Sequence, residues 1–359
     1  MQNIDTTLRD AEKLRGKSHY RESLKLFTKA LRGYAKIRDK EGTLRCMLAL
    51  GDICRMVGDF AFAAESYLNA IEHARDIDSP AQVADAQVGL GLSLRAQGKW
   101  KEALQCIRTA KHFYKKKNDI EGLAFSTWAE AGALRIKGDI SETISAFYSA
   151  YTLFKSLNDT RGIGYCLCGL GGASRIAGAS KDSLDYYMAA NRIFASVKDR
   201  FGKAYSYCGI GNAYRMRNDF HNAFAYFSKA TRLYQKIGDR VSYAYTLWGL
   251  STAYKMTGDY EKAAGYLKKA MQLFRKTKDP RGVIYCRLGF GEIAFLSGKK
   301  AVAKKYASDA VREAAAYRFS VEKCYAETLY SFVHGSKNTA CHKRLGLKLN
   351  FEKLPLNIP

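Results

Sequence analysis

The chain has 359 residues, 47% of them hydrophobic, which is ample for a continuous core. Its 59 Lys and Arg outnumber 34 Asp and Glu, and the formal charge of +25 favours acidic partners (acidic protein segments, nucleic acid or anionic lipid) without choosing among them. No run of about 18 apolar residues offers a membrane span, and the segment Met1-Gln2-Asn3-Ile4-Asp5 lacks the basic-then-apolar pattern of a signal peptide.

From its first helix onward the chain repeats. Ala30, Ala70, Ala110, Ala150, Ala190, Ala230, Ala270 and Ala310 fall on a 40-residue lattice. A period of ~20–50 residues marks stacked supersecondary units, so length alone does not set the number of domains here. Ala11 to Ser18, which includes Gly16-Lys17-Ser18, loosely matches a phosphate loop. It sits where the lattice requires a turn between helices, not after a strand, so no nucleotide site is expected there. Pro80 and Pro280 share one lattice position between repeats, and the proline-free stretch between them suits long helices. Lys115-Lys116-Lys117 closes a helix and reads as a solvated helix end.

Residues 202–239 show the unit. A first helix runs roughly from Gly202 to Met216, then the turn Arg217-Asn218-Asp219, then a second helix from Phe220 to Ile237. Phe220, Ala223, Phe227, Ala230 and Tyr234 form one apolar face of the second helix. The turns repeat as Gly58-Asp59, Gly98-Lys99, Gly138-Asp139, Asn218-Asp219, Gly258-Asp259 and Gly298-Lys299. Gly or Asn there suits a left-handed helix end, and Asp the next N-cap. Asp39, Asp119, Asp159, Asp199, Asp239 and Asp279 are the expected N-caps of the first helix in each unit.

Gly211-Asn212-Ala213-Tyr214 followed by Asn218-Asp219-Phe220, Ala223, Phe227 and Ala230 resembles the tetratricopeptide repeat, as does Ser251-Thr252-Ala253-Tyr254 with Gly258-Asp259-Tyr260, Ala263 and Ala270. The 40-residue unit is longer than the usual ~34 and is similar to the repeats of kinesin light chains, Pins-type adaptors and Rap-type regulators. The resemblance implies an all-α, right-handed superhelical solenoid of about eight hairpins over residues 1–317, with a capping helix over 318–334. The end repeats depart from the pattern, at Ser18, Ala307 and Ala314, as capping units do. The tail at 335–359, with Leu345, Leu347, Leu349, Phe351, Leu354 and Leu356, either is disordered or packs back onto the solenoid.

The resemblance also places the first helix of each unit on the concave wall. One column on it reads Arg15, Arg55, Arg95, Arg135, Arg175, Arg215 and Lys255 before Phe295 breaks it. A second reads Phe125, Tyr165, Tyr205, Tyr245 and Tyr285, and Gly89, Gly169, Gly209, Gly249 and Gly289 run between. Offsets of 3, 7 and 10 keep these on one helix face. Two readings stay open. The cations and tyrosines line a groove for an acidic extended or helical segment of a partner protein. Alternatively, the cations answer helix dipoles and acidic neighbours, and the tyrosines and glycines only serve packing. The family's peptide-gripping asparagine survives as Asn212, its column otherwise reading Asp52, Leu92, Gly132, Gly172, Thr252 and Glu292.

The expected activity is that of a non-enzymatic adaptor or scaffold. The alternatives are a nucleic-acid-binding repeat protein or a regulator sensing a peptide or small ligand. No cofactor is called for, and no integral membrane association. The nine cysteines lack paired spacing, and the six histidines do not gather near the columns of Cys46, Cys166 and Cys286 or of Cys168 and Cys208. Small buried thiols in a reducing cytoplasm, and no metal site, are expected.

Overall fold

The computed structural model describes residues 2–349 and 351–359. Sixteen helices form eight consecutive hairpins: α1 (Gln2–Gly16) with α2 (Tyr20–Lys36), α3 (Lys40–Val57) with α4 (Phe60–Asp76), α5 (Pro80–Ala96) with α6 (Trp100–Lys117), and α7 (Ile120–Lys137) with α8 (Ile140–Ser156). They continue as α9 (Thr160–Ala177) with α10 (Ser180–Ser196), α11 (Arg200–Met216) with α12 (Phe220–Ile237), α13 (Arg240–Met256) with α14 (Tyr260–Lys276), and α15 (Pro280–Leu296) with α16 (Lys300–Ala316). A capping helix, α17 (Ser320–Val333), and a short helix, α18 (Ala340–Arg344), complete the series. The described residues contain no strand.

The regularity reaches below the hairpin. A residue with positive φ closes every helix from Ser18 to Arg318 at 20-residue intervals, for example Arg38, Gly58, Asp78, Gly98 and Asn118. At all of these turns except the one at Gly238 the following N–H reaches back five residues, as in Asp39 N to Tyr34 O and Asp59 N to Cys54 O. These are Schellman closures, which satisfy the carbonyls orphaned at the helix end. The Asp residues then cap the next helix. Asp119, Asp159 and Asp199 accept the N–H of Gly122, Gly162 and Gly202, and Asp219 that of Asn222. Pro80 and Pro280 open α5 and α15, where a missing N–H leaves no bond unmade. Half of the repeat is thus a helix with both ends satisfied locally.

The lattice alanines sit where the paired helices cross, and none is more than 1% exposed. Rings from the even helices fill the spaces around them, Phe27, Phe194, Phe227 and Phe274 being fully buried. Each helix packs on the next, and odd helices also touch odd ones (α5 on α7, α9 on α11, α13 on α15), which places them on the inner radius of the curved stack.

The stack then closes on itself. Arg240 Nε donates to Val57 O at 3.0 Å, across 183 residues of sequence. The space that a side chain would need at Gly58 is filled by Val241 and Thr277, and at Gly98 by Pro280, Tyr317 and Phe319. Trp100 Nε1 donates to Tyr317 O at 3.1 Å, and Lys348 N to Ala177 O at 2.9 Å. The ends of the early odd helices therefore rest on the starts of odd helices about four and a half repeats later. The inner wall encloses a narrow channel where sequence reasoning expected an open groove.

Of the tail, residues 335–349 and 351–359 pack back onto the solenoid, with Leu347, Phe351, Leu356 and Ile358 buried. Cys324 on α17 and Cys341 on α18 form a disulfide, where sequence reasoning expected thiols in a reducing setting; the other seven cysteines are free and most of them are buried, as expected. No helix among the described residues is long and apolar enough to cross a membrane.

Candidate binding site

The seven column cations all lie in the last turns of odd helices, but their partners divide them into three groups. At the start, Arg15 pairs with Glu12 at 2.7 Å and with Asp52 at 3.3 Å, and Arg55 lies 3.6 Å from Asp52. Tyr67 OH donates to the same Asp52 carboxylate at 2.6 Å. At the far end, Lys255 pairs with Glu292 at 2.7 Å, the two being 3% and 0% exposed at the side chain. Both acids belong to the column that carries Asn212. In the middle that column reads Leu92, Gly132 and Gly172, and the pairing stops.

The middle of the channel is therefore charged without compensation. A Cβ added at Gly132 would fall 2.0 Å from Arg95 Nη1, and one at Gly172 2.7 Å from Arg135 Nη1. The two guanidinium groups lie over bare backbone in the places where the ends of the column supply carboxylates. Arg135 Nε and both Nε and Nη1 of Arg175 are shut off from solvent without a hydrogen-bond partner. Among the described residues, Arg95, Arg135 and Arg175 form no ion pair. Burial, followed by the charge of Arg135, pulls the Arg95 guanidinium down to about 10. It remains protonated at neutral pH, and the direction of the shift reflects the desolvation of a cation beside a second cation.

Two neighbouring spaces, which share Arg135, Tyr245 and Arg281 in their walls, open beside these residues. One, about 200 Å³, is lined by Arg55, Arg95, Arg135, Arg281 and the buried Asp239 and Asp279. Those aspartates are already engaged as N-caps of α13 and α15, and Arg281 bonds Glu322 at 2.5 Å. The other, about 220 Å³, is lined by Arg135, Arg175, Tyr187, Tyr205, Trp248 and Pro359 among others.

Arg215 and Asn212 were expected to face a partner, but the chain itself takes them. Arg215 is 0% exposed. Asn212 Oδ1 accepts from its Nη2 at 3.2 Å, Ile358 O from the same nitrogen at 2.7 Å, and the Asn357 side chain from its Nη1. The guanidinium also lies 5.5 Å from the Trp248 ring centre. Burial, then the neighbouring Arg175 charge, lowers it to about 9. Lys255 donates to Leu356 O at 2.9 Å, and Leu356 N donates to Glu292 Oε2 at 2.5 Å. The stretch from α7 to α13, where arginines and aromatics coincide in the sequence, is thus already occupied at its later end.

The aromatic column is mixed. Phe125 is exposed and stacks on Trp128. Tyr165 OH donates to Asp199 at 3.1 Å and Tyr285 OH to Glu322 at 2.8 Å, so both brace the next repeat. Tyr245 packs on Phe274, and both Tyr205 and Tyr245 reach the channel. The glycine column is packing alone. A Cβ at Gly169 would meet Phe147 at 2.4 Å and one at Gly209 would meet Tyr187 at 2.2 Å, so these positions receive rings from even helices.

Sequence reasoning missed the gathering of Cys324, Cys341 and His342, whose ligand atoms lie within 4.8 Å of one another. The adjacency of Cys341 and His342 was its only signal. The two sulfurs are spent on each other, which leaves His342 alone as a donor.

Hairpins of this geometry, repeated every 40 residues, define a tetratricopeptide-type solenoid. The tetratricopeptide repeat profile matches residues 13–76 and 202–276. In overall fold it is similar to a Rap protein complexed with competence and sporulation factor (13% identity, 96% of this chain and 98% of that one, TM-score 0.62). It is likewise similar to the Rap conjugation gene regulator of the plasmid pLS20 in complex with the Phr* peptide (13%, 88% and 96%, TM-score 0.64) and to the apo form of RapI (12%, 77% and 99%, TM-score 0.56). No curated protein matches the sequence.

Proposed function

We propose that this protein is a non-enzymatic interaction module that takes an acidic, extended segment of a partner protein into its central channel. The observation that carries the reading is the run of three guanidinium groups in which Arg95 and Arg135 lie over Gly132 and Gly172 in place of carboxylates, and Arg135 and Arg175 keep buried nitrogens without a hydrogen-bond partner. A partly buried cation without a partner carries a desolvation cost, and an incoming carboxylate recovers part of it through fork-shaped hydrogen bonds. Tyr205 and Tyr245 add rigid contact area beside them. An extended chain suits the space better than a helix, whose ~10–12 Å width exceeds cavities of this size. The fold likeness to two Rap proteins whose structures hold a signalling factor or a peptide is in keeping with this reading.

The test is fluorescence anisotropy with a labelled ten-residue glutamate peptide. The wild-type chain should bind it, and more weakly at high salt, because part of the interaction is screened charge. The triple variant Arg95→Gln, Arg135→Gln, Arg175→Gln should lose at least tenfold in affinity. Equal binding by wild type and variant would contradict the assignment of the site.

A further inference from the structure

The segment that follows α18 lies in the channel. Gly346, at φ +66°, turns the chain out of α18, and Lys348 N bonds Ala177 O at the end of α9. From there Leu356, Asn357 and Ile358 run along the inner wall formed by α11, α13 and α15. Most of what the wall recognises is main chain. Glu292 accepts the Leu356 N–H, Lys255 donates to the Leu356 carbonyl, and Arg215 donates to the Ile358 carbonyl. Asn357 adds a reciprocal clasp, its Nδ2 donating to Arg215 O at 2.9 Å while its Oδ1 accepts from the guanidinium. Leu356 is 0% exposed and Ile358 2%. A peptide from another molecule lying in the same direction would find the same donors and acceptors.

The occupant complements the wall in shape but not in charge. Among the side chains of residues 345–359, Lys348 and Lys353 stand against Glu352. Pro359 lines the same space as Arg135 and Arg175 and covers it from one side. The segment thus fills the end of the channel at Arg215 and Lys255 and leaves the three middle arginines uncompensated.

We infer that residues 345–359 are an intramolecular occupant of the channel, which an acidic partner segment must expel in order to extend from Arg95 to Lys255. This inference rests on the function proposed above. The Cys324–Cys341 disulfide keeps α18 on α17, so the departing arm begins only after residue 345. A tether this short gives the segment an effective concentration on the order of millimolar. The apparent affinity of a partner then falls by the fraction of molecules in which the arm has left.

Two measurements on the full chain test this. In the first, Leu356→Ser with Ile358→Ser loosens the arm, and the labelled ten-residue glutamate peptide should bind at least tenfold more tightly than to wild type. Unlabelled peptide of residues 345–359 should compete with it. In the second, hydrogen exchange on the wild-type chain reads the Leu356 amide, which is protected by Glu292. Its exchange should accelerate when the glutamate peptide saturates the channel. Equal affinity in both proteins, or a Leu356 amide that stays protected at saturation, overturns the inference while leaving the channel as the acidic-segment site. No binding by either protein removes the proposed function and the inference together.

Discussion

Arg38, Lys198, Lys278 and Arg318 close helices in the left-handed region without being glycine. A side chain costs about 1–2 kcal/mol in that conformation, and glycine returns part of this as unfolded-state entropy. Arg38→Gly, at an exposed turn, should therefore stabilise by about 0.5–1 kcal/mol, read as a higher urea midpoint. A fall in midpoint would show that the Arg38 side chain contributes contacts not evident from its exposure. The reverse holds on the inner face. Gly209→Ala drives a methyl into the Tyr187 ring, 2.2 Å away, and should destabilise by about 1–3 kcal/mol. An unchanged midpoint would mean that α10 and α11 part at no cost. The sequence made the turn residues legible, because only a few residue types tolerate that φ. It left the glycine column open between ligand floor and packing site, since both uses need the same missing Cβ.

At the scale of the element, most of the long helices are capped by an Asp side chain and closed by a left-handed residue, and so the hairpin spacing was readable from Gly58-Asp59 and its equivalents together with Asp39 and its equivalents. Partners across the channel were not readable. Asp52 and Glu292 appeared only as departures from the asparagine column, and their pairing with Arg15, Arg55 and Lys255 depends on how closely successive odd helices approach. Nor could the sequence decide whether Leu347, Phe351 and Leu356 would pack, because an alternating apolar tail looks the same free or docked. His342 holds the root of that tail. It is buried between Tyr325 and Phe351, with Nε2 against the Thr328 hydroxyl, and burial lowers its pKa below the usual 6.5. The unfolded state therefore binds the proton more readily, and the stabilisation from neutral His342 is lost as pH falls below about 6.5. Amides of α18 should exchange faster at pH 5 than at pH 7 after correction for the intrinsic rate. A His342→Gln variant should show less of that difference, and an equal difference in both proteins would assign it to other groups.

For the molecule as a whole, the decisive feature is closure. Segments four and a half repeats apart touch through Val57 and Arg240 and through Gly98 and Pro280, and segments about five and a half apart through Trp100 and Tyr317, which converts a groove into a channel. Nothing in one repeat encodes this, because it is the sum of small rotations between many, and a sequence read repeat by repeat finds the wall without its diameter. Closure makes the charge of the middle arginines matter, since protein on both sides of the channel lowers the local dielectric around them. It also predicts that Gly98→Trp, which places an indole where Pro280, Tyr317 and Phe319 meet, should force the turns apart. Small-angle scattering should then report a larger radius of gyration than for wild type, and an unchanged radius would show that the contact between turns is not what sets the curvature.

The central claim is that the channel binds acidic segments because carboxylates are missing from one column between Asp52 and Glu292. Supplying them tests it most directly. In Gly132→Asp with Gly172→Asp, the new acids should neutralise Arg95 and Arg135 from within. Titration calorimetry with the ten-residue glutamate peptide should then show binding lost or weakened at least tenfold, with the chain still folded by circular dichroism. Binding as tight as that of the wild type would mean that the uncompensated arginines are not the site.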